Sequence, residues 1–377
     1  MIRKDDVVIV GGGVMGASAA YWLSRMGRQV TVIEQGEVPN RLSASGDQLR
    51  IFRLSYGKDA FYTEMAAQSL PLWRELVQQG SDKFFIQNGF LDLATQAHGY
   101  EEASLKVLKE HKIPAVVLDK DDLKRHYPML NSRAFRFGLL HKDGGMLWAT
   151  RAVSSIMGLA QRKGVKVRAH VKVTSLVQAK GSIQALKDSS GKVWEAESFL
   201  FAPGAWTPEL LKSYRLPLKV TRQQQMYLRP PFNRGRYREE HFPPFSIAHA
   251  GFYGFPMHIH GFMKIGEFRK GAPGKPGDVP DREITPAFER KCRVFLKRYI
   301  PELANFTEFE GHVCYYASTK DQDFILDRLP GTANAFVMAG FSGHGFKFAP
   351  LVGQAMAQLI VGGKSELNLH RFRLSRF

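Results

Sequence analysis

Residues 7–34 read VVIVGGGVMGASAAYWLSRMGRQVTVIE, and the order of residue types in this stretch decides the fold. An apolar run at 7–10 stops at Gly11. Val14, Ala17, Ala20, Tyr21 and Leu23 then recur at helical spacing as far as Gly27, and a second apolar run, 30–33, follows at once. Strand, glycine turn, helix and strand make the right-handed crossover unit of a parallel sheet, so the spacing predicts an α/β protein. Gly11, Gly13 and Gly16 fill the pattern G-x-G-x-x-G. The first permits the tight turn, the second lets a pyrophosphate approach the backbone, and the third lets the helix pack on the strand. Val14 and Met15 open that helix, whose first N–H groups favour negative charge. Glu34 stands 23 positions after Gly11, where a carboxylate accepts hydrogen bonds from ribose hydroxyls and disfavours a 2′-phosphate. A bound dinucleotide is therefore expected; the motif does not decide between FAD and NAD.

Beyond this unit, 61–79 reads as a helix interrupted or bent near Pro71, and 351–360 as another. FLFAPGAW at 199–206 reads as a strand whose end approaches a ligand backbone-first. Aromatic and β-branched runs at 225–228, 252–255 and 262–265, bounded by Pro and Gly, predict an antiparallel sheet inserted into the α/β scaffold as a roof over substrate. GAPGKPGDVPD at 271–281 reads as an exposed loop. There are no internal repeats.

With 377 residues and 44% hydrophobic residues, the chain can bury a core large enough for two domains, or for one interrupted by another. Lys and Arg number 53 against 35 Asp and Glu, a net charge of +18. Bases cluster at 264–270 and at His370, Arg371, Arg373 and Arg376, but they recur throughout, so a diffusely basic surface is expected. Cys292 and Cys314 are the only cysteines, too few for a disulfide framework and without metal-ligand spacing. The uncharged run 7–23 is short for a membrane span, and Asp5 and Asp6 spoil its likeness to a secretory leader. The final Leu374, Ser375, Arg376 and Phe377 do not match a peroxisomal tag. A cytoplasmic protein without a membrane span is the expectation.

Four segments carry a resemblance. GGGVMGASAAYWL from Gly11, SASGDQLRIFRLSYG from Ser43, CYYASTKDQDFILD from Cys314 and GFSGHGFKFAP from Gly340, with YGFP at Tyr253 and then Lys264, resemble in order the monomeric sarcosine oxidase and N-methyltryptophan oxidase family. These are FAD-dependent amine oxidases of the D-amino-acid oxidase-like flavoproteins. The resemblance implies a Rossmann-type FAD-binding domain (1–85, 145–220 and 317–377) with an inserted α+β substrate domain on a mainly antiparallel sheet (86–144 and 221–316). It implies FAD held covalently through a thioether at Cys314. Gly343, His344, Gly345, Phe346 and Lys347 would line the flavin, the glycines offering backbone N–H groups just before the helix at 351.

By the same resemblance, Arg53 and Lys347 would clamp the substrate carboxylate, and Arg50 would sit at the flavin. The i, i+3 spacing of Arg50 and Arg53 would bring both guanidinium groups to one side of a helical turn. Tyr253 would stand on the substrate side. Lys264 would promote reaction with oxygen, a cation beside a developing superoxide. Lys264, Arg50 and Tyr253 form the expected catalytic set. Taken alone, each of these residues reads as ordinary surface or core.

Two departures matter. GDQLRIFR is one residue longer between Asp47 and Arg50 than the family's usual GD-T-R-I-I-R, and Phe268 stands where sarcosine-active relatives carry a histidine. An apolar ring there points to a bulkier or more apolar amine than sarcosine.

The expected reaction is oxidation of a secondary amino acid, N-methyl or cyclic, with molecular oxygen as acceptor and hydrogen peroxide as product, by a monomer. Competing readings are a flavin dehydrogenase with another acceptor, a fructosyl amino acid oxidase, and an oxidase of an aminomethyl base on tRNA, the last prompted by the charge. Nucleic acid is not the expected partner, because no recognition module accompanies the charge.

Overall fold

The computed structural model describes residues 5–230, 234–277 and 283–377. Its first strand, Asp5–Val10, lies inside a six-stranded sheet ordered Ile325–Arg328, Ala335–Ala339, Ala196–Phe201, Asp5–Val10, Val30–Ile33, Lys166–Arg168. All neighbours pair in parallel except the first two. Helices cover these strands, which explains why they are continuous apolar runs rather than alternating ones. Helix Val14–Arg25 buries every residue from Val14 to Leu23. A Cβ on Gly16 would fall 1.9 Å from the carbonyl oxygen of Gly11, so the helix reaches the strand only because that Cβ is missing.

The predicted antiparallel roof is an eight-stranded sheet, ordered Phe309–Ser318, Lys219–Leu228, Met263–Glu267, Phe252–Phe255, Phe245–Ile247, Phe90–Ala94, Phe137–His141, Val116–Leu118. Only Phe245–Ile247 and Phe90–Ala94 run parallel. Register does the positioning here. Lys264 lies opposite Tyr227 on one side and Phe255 on the other, so the three project from one face. Across the same strands Gly266 lies opposite Tyr253, whose hydroxyl would be 2.5 Å from a Cβ at 266. The tyrosine ring folds over the space that glycine leaves. Helix Pro286–Tyr299 closes the other face with Phe288, Cys292, Phe295 and Leu296, and Phe295 stacks on Phe252 at 4.6 Å.

Several expectations change. Arg50 belongs to a strand, Leu49–Phe52, paired antiparallel with Gly145–Trp148, so no helical turn carries Arg50 and Arg53. Arg53 follows just beyond the strand end, and both arginines nevertheless reach the wall of one cavity. Helix Ala60–Gln79 runs without interruption through Pro71, held by buried Leu70, Trp73 and Leu76 on its inner side. Lys264 is interior and belongs to no surface cluster, while Arg371 and Arg376 are matched by Asp59, Asp323 and Asp321. Within the loop read at 271–281, Arg222 N–H donates to Ala272 and Pro273 bridges Thr221, so its start is tied to the sheet. Residues 278–281 lie outside the described residues, as do residues 1–4 of the leader-like stretch. Among the described residues no helix is long and apolar enough to cross a membrane.

Candidate active site

A cavity of about 290 Å³ opens at the carboxyl ends of the central strands. Gly11, Gly13, Val14 and Met15 form its base, and Ala202–Trp206 forms one side. Gly11 has φ +110°, and a Cβ there would meet the Ala202 oxygen at 2.4 Å. The turn and the end of strand Ala196–Phe201 therefore fit together only as bare backbone, as expected of 199–206. Gly13 caps the helix without any side chain of its own. Ser45, from a distant segment, accepts from Val14 N–H at 3.2 Å. Glu34 lines the cavity, its carboxylate accepting from the backbone of Gly12 (2.8 Å) and Gly36 (3.0 Å) and from Asn40 Nδ2 (3.0 Å). A helix N-terminus and a fixed acceptor beside the same glycine turn suit the pyrophosphate and ribose of a dinucleotide.

The far wall of this cavity is the loop 340–346. Gly343 has φ +82°, and a Cβ on it would enter the Tyr316 ring at 2.5 Å. Arg50, Tyr316, Ser342, Gly343 and Phe346 line this cavity and also a second one of about 470 Å³. The two spaces thus meet at a shared wall, where a flat ring carried by the dinucleotide would face whatever the second cavity holds. The glycine-cleared cleft, the Glu34 acceptor and this junction all fit FAD.

Asp47, Arg50, Lys264 and Tyr227 form a buried knot beside the junction. Asp47 accepts from Arg50 Nη1 at 2.7 Å, from the Lys264 ammonium and from the Tyr227 hydroxyl. Lys264 also donates to the Leu49 carbonyl at 3.1 Å. Burial would raise the Asp47 pKa, but Lys264 and Arg50 overcome it and hold the carboxyl well below the usual range. Burial brings Lys264 down to about 8 against the pull of Asp47.

The second cavity holds two more cations. Arg53 donates to the Ser55 carbonyl and the Tyr100 hydroxyl, and its guanidinium lies 4.4 Å from the Tyr56 ring centroid. Lys347 Nζ donates to the Tyr56 hydroxyl at 2.8 Å and the His344 carbonyl at 2.9 Å. Among the described residues no ion pair joins either to a carboxylate. Burial and the nearby Arg53 drive the Lys347 pKa well below the ordinary lysine value. The backbone of Lys347 is anchored too, its carbonyl accepting from Ser69 Oγ at 2.6 Å and Trp73 Nε1 at 2.7 Å. Tyr253, Phe255 and Phe268 add an aromatic wall, with Tyr253 and Phe268 centroids 5.0 Å apart.

The remaining expected residues fall as follows. Gly345 and Phe346 line the first cavity, and Phe346 stacks on Trp73. His344 and Lys347 line only the second. His344 is held down to about 3 by burial and Lys347, and its Nε2 lies 3.1 Å from the Gln322 carbonyl. Gly16 lines neither cavity and acts through packing. Cys314 is buried and also lines neither; its Sγ accepts from Gln225 Nε2 at 3.4 Å. It shares a strand face with Tyr316, two residues on, which lines both. Sequence reading gave no role to Tyr56 or Tyr316, which stand within quoted motifs, and missed Tyr100 and Tyr227, for which no spacing gives a signal. Asp47 stood within a quoted motif but had no role.

The profile of the DAO family, described as FAD dependent oxidoreductase, matches residues 6–359. Over 382 residues the chain is 28% identical to a monomeric sarcosine oxidase of Bacillus sp. (strain B-0618), covering 100% of this chain and 97% of that protein. It is 27% identical over 384 residues to N-methyl-L-tryptophan oxidase of Salmonella enteritidis PT4, covering 99% of each. The solved structure of L-proline dehydrogenase from P. horikoshii superposes with a TM-score of 0.88 at 23% identity, over 100% of this chain and 98% of that one, a likeness of fold.

Proposed function

The chain belongs to the FAD dependent oxidoreductase family, and from that membership we propose that it oxidises a secondary amino acid bearing an apolar or cyclic substituent, with molecular oxygen as the acceptor. The observation that carries this reading is the pair of buried cations, Arg53 and Lys347, free of carboxylate partners among the described residues and set beside the wall shared with the dinucleotide cavity. Arg53 and Lys347, with no carboxylate in ion-pair contact among the described residues and Asp92 acting on Arg53 only from behind, are a seat for a carboxylate withdrawn from water.

Gly11, Gly13, Val14, Met15, Glu34 and the 340–346 loop would hold FAD, which would supply the acceptor for a hydride equivalent from the carbon next to nitrogen. Arg53 and Lys347 fix the substrate carboxylate, and fixing one end of a small molecule orients the carbon and nitrogen next to it. Tyr253, Phe255 and Phe268 exclude water on the substituent side, and Phe268 offers no hydrogen bond to a small polar amine. An amine that enters unprotonated needs no general base, and His344, held neutral, is not assigned as one. Lys264 presents a positive charge at the cavity wall, where charge developing on oxygen would be stabilised. Cys314 is the proposed point of covalent attachment, on the strength of the family resemblance and of its place on the Tyr316 face.

The test is acid precipitation of the yellow protein and of Cys314→Ala, followed by peroxide release from a panel of N-methyl and cyclic amino acids. Flavin pelleting only when Cys314 is present supports the thioether, and flavin wholly in the supernatant removes it. Peroxide from a panel member supports the oxidase. Turnover seen only with an artificial dye acceptor would replace oxygen by another acceptor, and a protein that binds no FAD would overturn the reading.

A further inference from the structure

Asp47 has no part in the reaction as set out above, yet it is the group on which the buried knot converges. Its two oxygens take the Arg50 guanidinium, the Lys264 ammonium and the Tyr227 hydroxyl, and it is 3% exposed. Lys264 is 1% exposed and, among the described residues, has one other hydrogen bond, to the Leu49 carbonyl at 3.1 Å, with the rings of Phe255 and Tyr227 at 5.3 and 5.7 Å from its nitrogen. One carboxylate against two cations leaves the knot with a net charge of +1 if all three are ionised. The neighbouring segments add further titratable groups: His258, Tyr253 and, from strand Phe309–Ser318, His312, Cys314 and Tyr316. None of them is a second carboxylate.

We propose that Asp47 is a positioning residue that decides where this positive charge resides: it pins the Lys264 ammonium at the wall of the second cavity and lets lysine and arginine stay charged together. A buried arginine keeps its proton, whereas a buried lysine beside it gives its proton up once its anion is gone. Without Asp47 the knot would still carry +1, but all of it on Arg50, which is tied to the carbonyls of Ala44 and Leu49. The total charge is unchanged and its location moves. This inference rests on the oxidase reading, in which Lys264 serves oxygen.

The experiment uses flavin-loaded wild type, Asp47→Asn, Asp47→Glu, Tyr227→Phe and Lys264→Gln, reduced anaerobically by light and mixed with oxygen between pH 6 and 9.5. Lysine is charged below its pKa, so the wild-type reoxidation rate should fall as pH rises through about 8. In Asp47→Asn the midpoint should move down by about one unit or more, an about tenfold slower reoxidation above the wild-type midpoint. Asp47→Glu should restore most of it. Tyr227→Phe removes a donor that draws charge from Asp47 and should move the midpoint upward, a sign that mere loosening would not give. A second readout is independent of activity. Lysine side-chain NMR of the flavin-free protein, assigned by the signal missing in Lys264→Gln, should show the same shifts. Identical lysine titrations in wild type and Asp47→Asn would overturn the role of Asp47. Reduced wild type that oxygen leaves unchanged at every pH would instead overturn the oxidase reading, and the NMR titration would still decide Asp47.

Discussion

Substrate binding should draw a proton from solution, and the perturbation that reveals it is a redox-inert carboxylate, cyclopentanecarboxylate, added to the flavin-loaded enzyme. Lys347 is buried with two neutral acceptors, the Tyr56 hydroxyl oxygen and the His344 carbonyl, and with Arg53 nearby. Burial and Arg53 both disfavour its charge, so in the free protein it loses its proton at a lower pH than an ordinary lysine. A carboxylate seated between Arg53 and Lys347 reverses the balance and raises that pKa. Between the free and bound values, binding takes up as much as one proton, and affinity weakens by up to about tenfold per pH unit as pH rises through the window. Below the window the lysine is charged before and after binding, and no proton moves. Calorimetry in buffers of different ionisation enthalpy counts the protons directly. Lys347→Met should abolish the uptake and weaken binding by about 2 kcal/mol or more, roughly thirtyfold. Arg53→Met should weaken binding at least as much while leaving the uptake, since arginine does not titrate. A binding enthalpy independent of buffer from pH 6 to 9.5 would refute the clamp.

Gly16→Ala should yield protein with little or no flavin, because the new methyl lands 1.9 Å from the Gly11 oxygen and pushes the phosphate turn off its strand; the flavin-to-protein absorbance ratio reads this. Phe268→His, at a residue 44% exposed on the cavity wall, should change stability by less than about 0.5 kcal/mol but raise kcat/KM for small N-methyl amino acids relative to ring-bearing ones, as measured on a paired substrate panel. Asp92 is fully buried between His141 Nε2 at 3.4 Å and Ser246 Oγ at 2.5 Å, behind Arg53. Burial would raise its pKa, but the hydrogen bond and charge of His141 lower it. A carboxyl depressed on folding contributes stability above about pH 4 and loses it as pH falls further. Asp92→Asn should therefore cost about 3 kcal/mol in urea unfolding at pH 7, and the difference should shrink below pH 4.

What the sequence could reveal depended on how far apart the deciding residues lie. The unit 7–34 was legible because its strand, turn and helix are set by neighbours, and its glycines are needed by contacts within that short span. Arg50 and Arg53 invited a helical reading from their spacing alone. The strand that holds Arg50 and ends just before Arg53 is decided by pairing with Gly145–Trp148, nearly a hundred residues on, and by Ile51 and Phe52, which favour it. Lys264 looked like one base in a cluster because its anion, Asp47, is 217 positions away. Tyr56 and Tyr100, which contact Arg53 and, through Tyr56, Lys347, obey no spacing at all. Pro71 marked a break that the packed side chains of its helix override. Cys314 was named through the family resemblance, and its burial beside Gln225 says where the thiol sits, with attachment left to the acid precipitation.

The order of strands in the six-stranded sheet carries a consequence for synthesis. Among the described residues, Ala196–Phe201 lies between the first strand made and Ala335–Ala339, the last. Until that late strand docks, the loop 340–346 cannot close the far wall of the dinucleotide cavity, and Lys347 cannot join Arg53. A chain still on the ribosome thus has its glycine turn early but no finished pocket for most of its translation. Chains stalled at residue 330 should emerge colourless in the presence of FAD.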